Sequence, residues 1–110
     1  MGVPVLIEED VHDRLARAAA LAGWVLNRID PLARVTHVAP AAALRSSTYL
    51  GWRTRDEHLA KPNTIEMSMS VPDPLVVKLQ PPVRPRQILL HQVPDLVDDL
   101  IAMLRRAYRR

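Results

Sequence analysis

The sequence predicts an α+β fold: a small antiparallel sheet of three to five strands, with an N-terminal and a C-terminal helix packed on one face. Three observations predict it. Val11, Leu15, Ala18 and Ala22 recur at 4, 3, 4 spacing, which is one face of a helix. Ile65, Met67 and Met69 alternate with Thr64, Glu66, Ser68 and Ser70, the period of a strand with one wet face. Leu96, Val97, Leu100, Ile101, Leu104 and Tyr108 then form a continuous apolar stripe at helical spacing.

Each element follows from local chemistry. Val3–Ile7 is apolar but holds Pro4, which donates no ladder hydrogen bond, so it reads as an edge strand. Glu8, Glu9 and Asp10 suit the positive end of a helix dipole. A helix is expected from about Glu9 to Ala22, with Asp10–Arg14 and Asp13–Arg17 as acid-first pairs on its wet side and Gly23 as its cap or a kink. A further short turn reaches toward Ile29, and Pro31 forbids more. Arg34–Val38 is read as a strand, Pro40–Leu44 as an alanine-rich helical turn, and Ser46–Trp52 as a strand. Arg53–Asn63 is polar, contains Pro62 and is read as a loop.

Thr64–Ser70 and Leu75–Leu79 are the two clearest strands. Pro74 pushes Asp73 out of the α region, so their connection should be wider than a tight turn. Gln80–Pro85 holds three prolines and should be extended, and Arg86–His91 is read as a third strand. The last helix should begin near Pro94, where a first-turn proline loses no hydrogen bond. Its acids lie at the start and its arginines at the end, matching the dipole at both ends.

Composition bounds the function. A chain of 110 residues has single-domain length. Its hydrophobic fraction of 48% and charged fraction of 25% belong to a folded domain rather than a disordered one. There is no Phe, and the only aromatics are Trp24, Tyr49, Trp52 and Tyr108. Alanine buries little area, so the core should be thin, which favours completion across a self-association interface. The net charge of +3 is compatible with nucleic acid without demanding it. With zero Cys there is no disulfide framework and no thiolate metal site. Met1–Ile7 lacks the basic lead of a secretory leader, and no apolar run reaches membrane-spanning length, so a cytoplasmic protein with no membrane partner is expected.

No motif names an activity. Val3–Gly23, with its short strand, acidic turn and Val11-His12-Asp13-Arg14-Leu15-Ala16-Arg17 helix, loosely resembles ribbon-helix-helix repressors and antitoxins. The resemblance implies a strand that reads the major groove with polar side chains, and Val3-Pro4-Val5-Leu6-Ile7 has none to offer. A helix-turn-helix over the same stretch would put Pro31 inside its recognition helix. His91 and Asp95 stand four apart with Pro94 between them, so no metal is expected there. Three glycines form no phosphate-cradling loop, and no cofactor is expected.

Two cationic groups are the binding candidates. One is Trp52, Arg53, Arg55, His58 and Lys61; the other is Arg105, Arg106 and Arg109. Either could meet phosphate or an acidic partner. The sequence therefore favours a non-enzymatic protein-interaction or assembly module, binding itself or another protein. A basic nucleic-acid-binding accessory protein is the alternative.

Overall fold

A computed structural model describes residues 5–44, 51–60 and 74–108. The order is β1 (Leu6–Ile7), α1 (Glu8–Ile29), β2 (His37–Val38), β3 (Ala41–Leu44), β4 (Trp52–Arg53), α2 (Arg55–Ala60), β5 (Leu75–Lys78), β6 (Arg84–Pro85), α3 (Ile88–His91) and α4 (Val93–Tyr108). The fold is mixed helix and strand, as expected, but not one sheet of three to five strands. Among the described residues the strands form three two-stranded pairs: β1 with β4 in parallel, and β2 with β6 and β3 with β5 antiparallel. The expected strand Thr64–Ser70 lies outside the described residues.

The core belongs to α4. Its six stripe residues, Leu96, Val97, Leu100, Ile101, Leu104 and Tyr108, are all buried, none more than 6% exposed. β5 also obeys its pattern: Leu75 and Val77 are buried and Val76 and Lys78 are not, while Leu79 is enclosed just beyond. Helix α1 packs on α4, and His12 on α1 meets Asp98 on α4 at 3.1 Å. The two long helices thus pack first on each other rather than side by side on a broad sheet.

Four local expectations are corrected. Helix α1 does not stop at Ala22; it runs unbroken to Ile29, and Gly23 is an interior residue. That glycine lets α3 approach: a Cβ there would sit 2.5 Å from the Leu89 carbonyl oxygen. Pro40–Leu44 is not a helical turn; Ala41–Leu44 is a strand, because pairing with β5 outweighs alanine's helix preference. Arg53–Asn63 is not a loop throughout, since Arg55–Ala60 forms α2. Arg86–His91 is not a strand. Ile88–His91 is one helical turn, with the His91 N–H bonded to the Gln87 carbonyl at 2.8 Å. A four-residue apolar run does not by itself separate the two forms.

β1 also departs from the ribbon-helix-helix resemblance. It is two residues long and lies beside Trp52–Arg53, with the Leu6 N–H bonded to the Gly51 carbonyl at 2.9 Å. No helix of the described residues is long and apolar enough to cross a membrane.

Gly23→Ala should lower stability by about 1–3 kcal/mol through overpacking against Leu89, although alanine is the better helix former by about 1 kcal/mol. Urea unfolding measures this. A raised midpoint would mean that α3 yields freely.

Candidate functional site

Three of the sequence candidates, Trp52, Arg55 and Arg105, meet the first turn of α1. The parallel register sets Leu6 opposite Trp52 and Ile7 opposite Arg53, which brings β4 alongside the acids that follow. Glu8 Oε1 accepts the Trp52 indole N–H at 3.0 Å and the Arg105 Nε–H at 2.6 Å. The Glu8 carboxylate holds Arg105 still more firmly protonated than a free guanidinium, against a smaller opposing effect of burial. Glu9 accepts the backbone N–H of Arg55 at 2.8 Å, and Asp10 accepts its guanidinium at 3.0 Å. Asp10 thus faces Arg55, where the sequence pattern pointed to Arg14. Trp52 is buried against Tyr108, ring centroids 5.8 Å apart and tilted by 32°.

Three of the candidate side chains are therefore engaged inside the protein. Trp52 is 3% exposed and its donor is taken by Glu8. Arg53 is 4% exposed. Arg105 bridges the end of α4 to the start of α1. Arg55 is exposed but paired. His58 is half-buried on α2, and its buried Nδ1 has no hydrogen-bond partner among the described residues. Arg106 is exposed on α4, while Lys61 and Arg109 lie outside the described residues. The junction joins α1, β4, α2 and α4. Among the described residues, no three His, Asp or Glu side chains gather as a metal site, and His91 and Asp95 are separated by the break before α4.

α2 had a readable signal. Thr54 and Glu57 form a reciprocal capping box: the Thr54 N–H donates to Glu57 Oε1 at 2.9 Å, and the Glu57 N–H donates to Thr54 Oγ1 at 3.2 Å.

A second clasp closes the other end of α1. Arg86 is 8% exposed, and its guanidinium donates to the carbonyls of Leu26, Asp30 and Val35, to Asn27 Oδ1 and to Asp30 Oδ2. It thereby adds a second donor to the Leu26 and Asp30 carbonyls, which already accept the Asp30 and Ala33 N–H groups at 2.9 and 3.1 Å. The Asp30 carboxylate also accepts the N–H groups of Arg34 at 3.1 Å and Val35 at 2.9 Å. These bonds hold the turn in which Ala33 takes a φ of 53°, a left-handed conformation costing a non-glycine residue about 1–2 kcal/mol. The Val35 N–H first, then Arg86 and the Arg34 N–H, hold the Asp30 carboxyl below the usual carboxylate range, against the opposing effect of its burial.

With both ends pinned, the outer side of α1 is the open surface. Leu21 is 60% exposed, Trp24 60%, Val25 39% and Ile29 74%. Helical spacing puts them on adjoining turns. The Arg28 guanidinium lies 5.3 Å from the centre of the Trp24 ring. Beside this ridge runs an apolar trough between α1 and residues 38–44. It opens near Leu6 and Leu44, passes Ala18 and Pro40, and widens to about 510 Å³ at Leu21, Val25 and Ile29. Its floor includes the small residues Ala18 and Ala22, so another backbone has room to approach closely. The sequence reading missed this face because it ended the helix at Ala22.

No known protein family, no curated protein and no solved structure matches this chain.

Because folding lowers the Asp30 pKa, the carboxylate stabilises the native state above its ordinary pKa, and that stability is lost as pH falls through the folded value. Asp30→Asn should therefore be less stable than the wild type at neutral pH, with the gap closing below the normal carboxylate range. Urea midpoints measured across pH 2–7 check this, and a pH-independent gap would contradict it.

Proposed function

We propose that this chain is a non-enzymatic protein-interaction module that self-associates through the outer face of α1. The observation that carries the reading is the row Leu21, Trp24, Val25 and Ile29, exposed beside an apolar trough. Those four side chains leave on the order of 450 Å² uncovered, the size of the largest apolar patch on a typical monomer, which is often a functional surface. Two such faces, with their alanine floors, would bury on the order of 1,000 Å², the lower bound for a specific interface. The arrangement proposed is an isologous two-fold contact in which each copy lays this row against the other's. The thin core favours the same reading, since among the described residues only Leu79, Leu96, Leu104 and Val97 are almost completely enclosed.

The nucleic-acid alternative has less to rest on. Its leading cations, Arg53, Arg55 and Arg105, are buried or held by the acids of α1.

Light scattering tests the reading. The wild type should have a mass above the 12.4 kDa of one chain, and Leu21→Glu/Ile29→Glu should return it to that value with its helical circular dichroism intact. A wild type that stays at single-chain mass at about 100 μM, well above the Kd of a stable dimer, would overturn it.

A further inference from the structure

We infer that two copies of this chain, paired through the outer face of α1, hold a polyvalent phosphate anion between their arginines, and that this anion sets how tightly they associate. The inference rests on the self-association reading above and adds a ligand to it. Arg14, Arg17 and Arg28 are all exposed on α1. At 3.6 residues per turn they share the side of Leu21, with Arg14 two turns before it, Arg17 one turn before it and Arg28 two turns after it. The Arg28 guanidinium rests 5.3 Å from the centre of the Trp24 ring, which keeps it on the apolar row. Few acids answer these cations. Asp10, on the same side, is held by Arg55 at 3.0 Å, and Asp13 stands at the edge of the face. None of the three arginines forms an ion pair among the described residues. Outside those residues the chain has two acidic side chains, Glu66 and Asp73, fewer than the arginines they would have to neutralise.

Laying one row on another doubles these cations, and like charges brought together at an interface oppose the contact. At 1.5 Å per residue, Arg28 lies roughly 16 Å along α1 from Arg17, too far for one small anion to touch both within a single chain. An antiparallel two-fold contact changes this. With its axis between Leu21 and Trp24, Arg28 of each copy stands level with Arg17 of the other. The apolar row then occupies the middle, and a pair of guanidinium groups, one from each copy, flanks it at both ends. Each copy alone holds half of such a site. Guanidinium forks match phosphate oxygens two at a time, and an anion with two or more charges neutralises a pair that a single chloride does not. A nucleic-acid strand fits less well, because Trp24, the aromatic side chain on which a base would stack, lies inside the contact.

The probe is inorganic pyrophosphate, compared with sodium chloride at equal ionic strength and with a short oligothymidylate. Light scattering over a series of chain concentrations gives the dissociation constant of the pair. Pyrophosphate should lower that constant at least about tenfold relative to chloride. Arg17→Gln/Arg28→Gln, at two exposed positions, should keep its helical circular dichroism, associate in chloride as tightly as the wild type does in pyrophosphate, and no longer respond to the anion. Equal association in the two salts, association that weakens as chloride rises, or a pyrophosphate response that survives in the double variant would each overturn the inference and leave self-association standing. Stronger promotion by the oligothymidylate than by pyrophosphate would overturn the assignment to a small anion. A single-chain mass in every salt would overturn the self-association reading and this inference together.

Discussion

Everything described in this protein is arranged around one helix face. All six residues of the stripe from Leu96 to Tyr108 are buried. Helix α1 covers one side of it, β5 another, and the single turn α3 packs against both long helices. Burial of this kind contributes about 1.5–3 kcal/mol for each large aliphatic side chain, so the six residues of the stripe outweigh any single polar contact in the molecule. The polar contacts set direction instead. Glu8 ties the start of α1 to Trp52 and Arg105, and Arg86 ties its end to Asp30. Between those two anchors α1 is held at a fixed angle. One face is then inside, and the face that carries Leu21, Val25 and Ile29 is outside.

What was legible in the sequence was periodicity. α4 and β5 could be read because each holds its pattern long enough to exclude the other period. What was not legible depended on contacts between distant residues. Ala41–Leu44 has a helix-forming composition and becomes a strand only because Leu75–Lys78 lies beside it. Gly23 signals a helix end, yet here it sits mid-helix because the Leu89 backbone needs its space. The Thr54–Glu57 capping box was available and went unused. The sequence reading kept the Trp52–Lys61 segment and the C-terminal arginines as two separate groups, and the structure brings Trp52, Arg55 and Arg105 from both to the first turn of α1. Their partners are 44 to 97 residues away in the chain, so no local pattern could reveal that they are occupied.

The functional reading follows from what the core leaves uncovered. A chain without phenylalanine, with alanine along much of its first helix, encloses one helix well and the next only on one side. The alanine-floored trough and the ridge beside it are the remainder of that incomplete burial. On the proposed reading a second copy would supply the missing layer without any new element.

The central claim is that folding and self-association share one hydrophobic layer. Thermal unfolding followed by circular dichroism tests it most directly when repeated over about a hundredfold range of chain concentration, because an equilibrium that couples folding to association shifts with concentration and a monomer's does not. The account predicts a midpoint that climbs steadily as the solution becomes more concentrated. A midpoint that stays fixed across the whole range would contradict it.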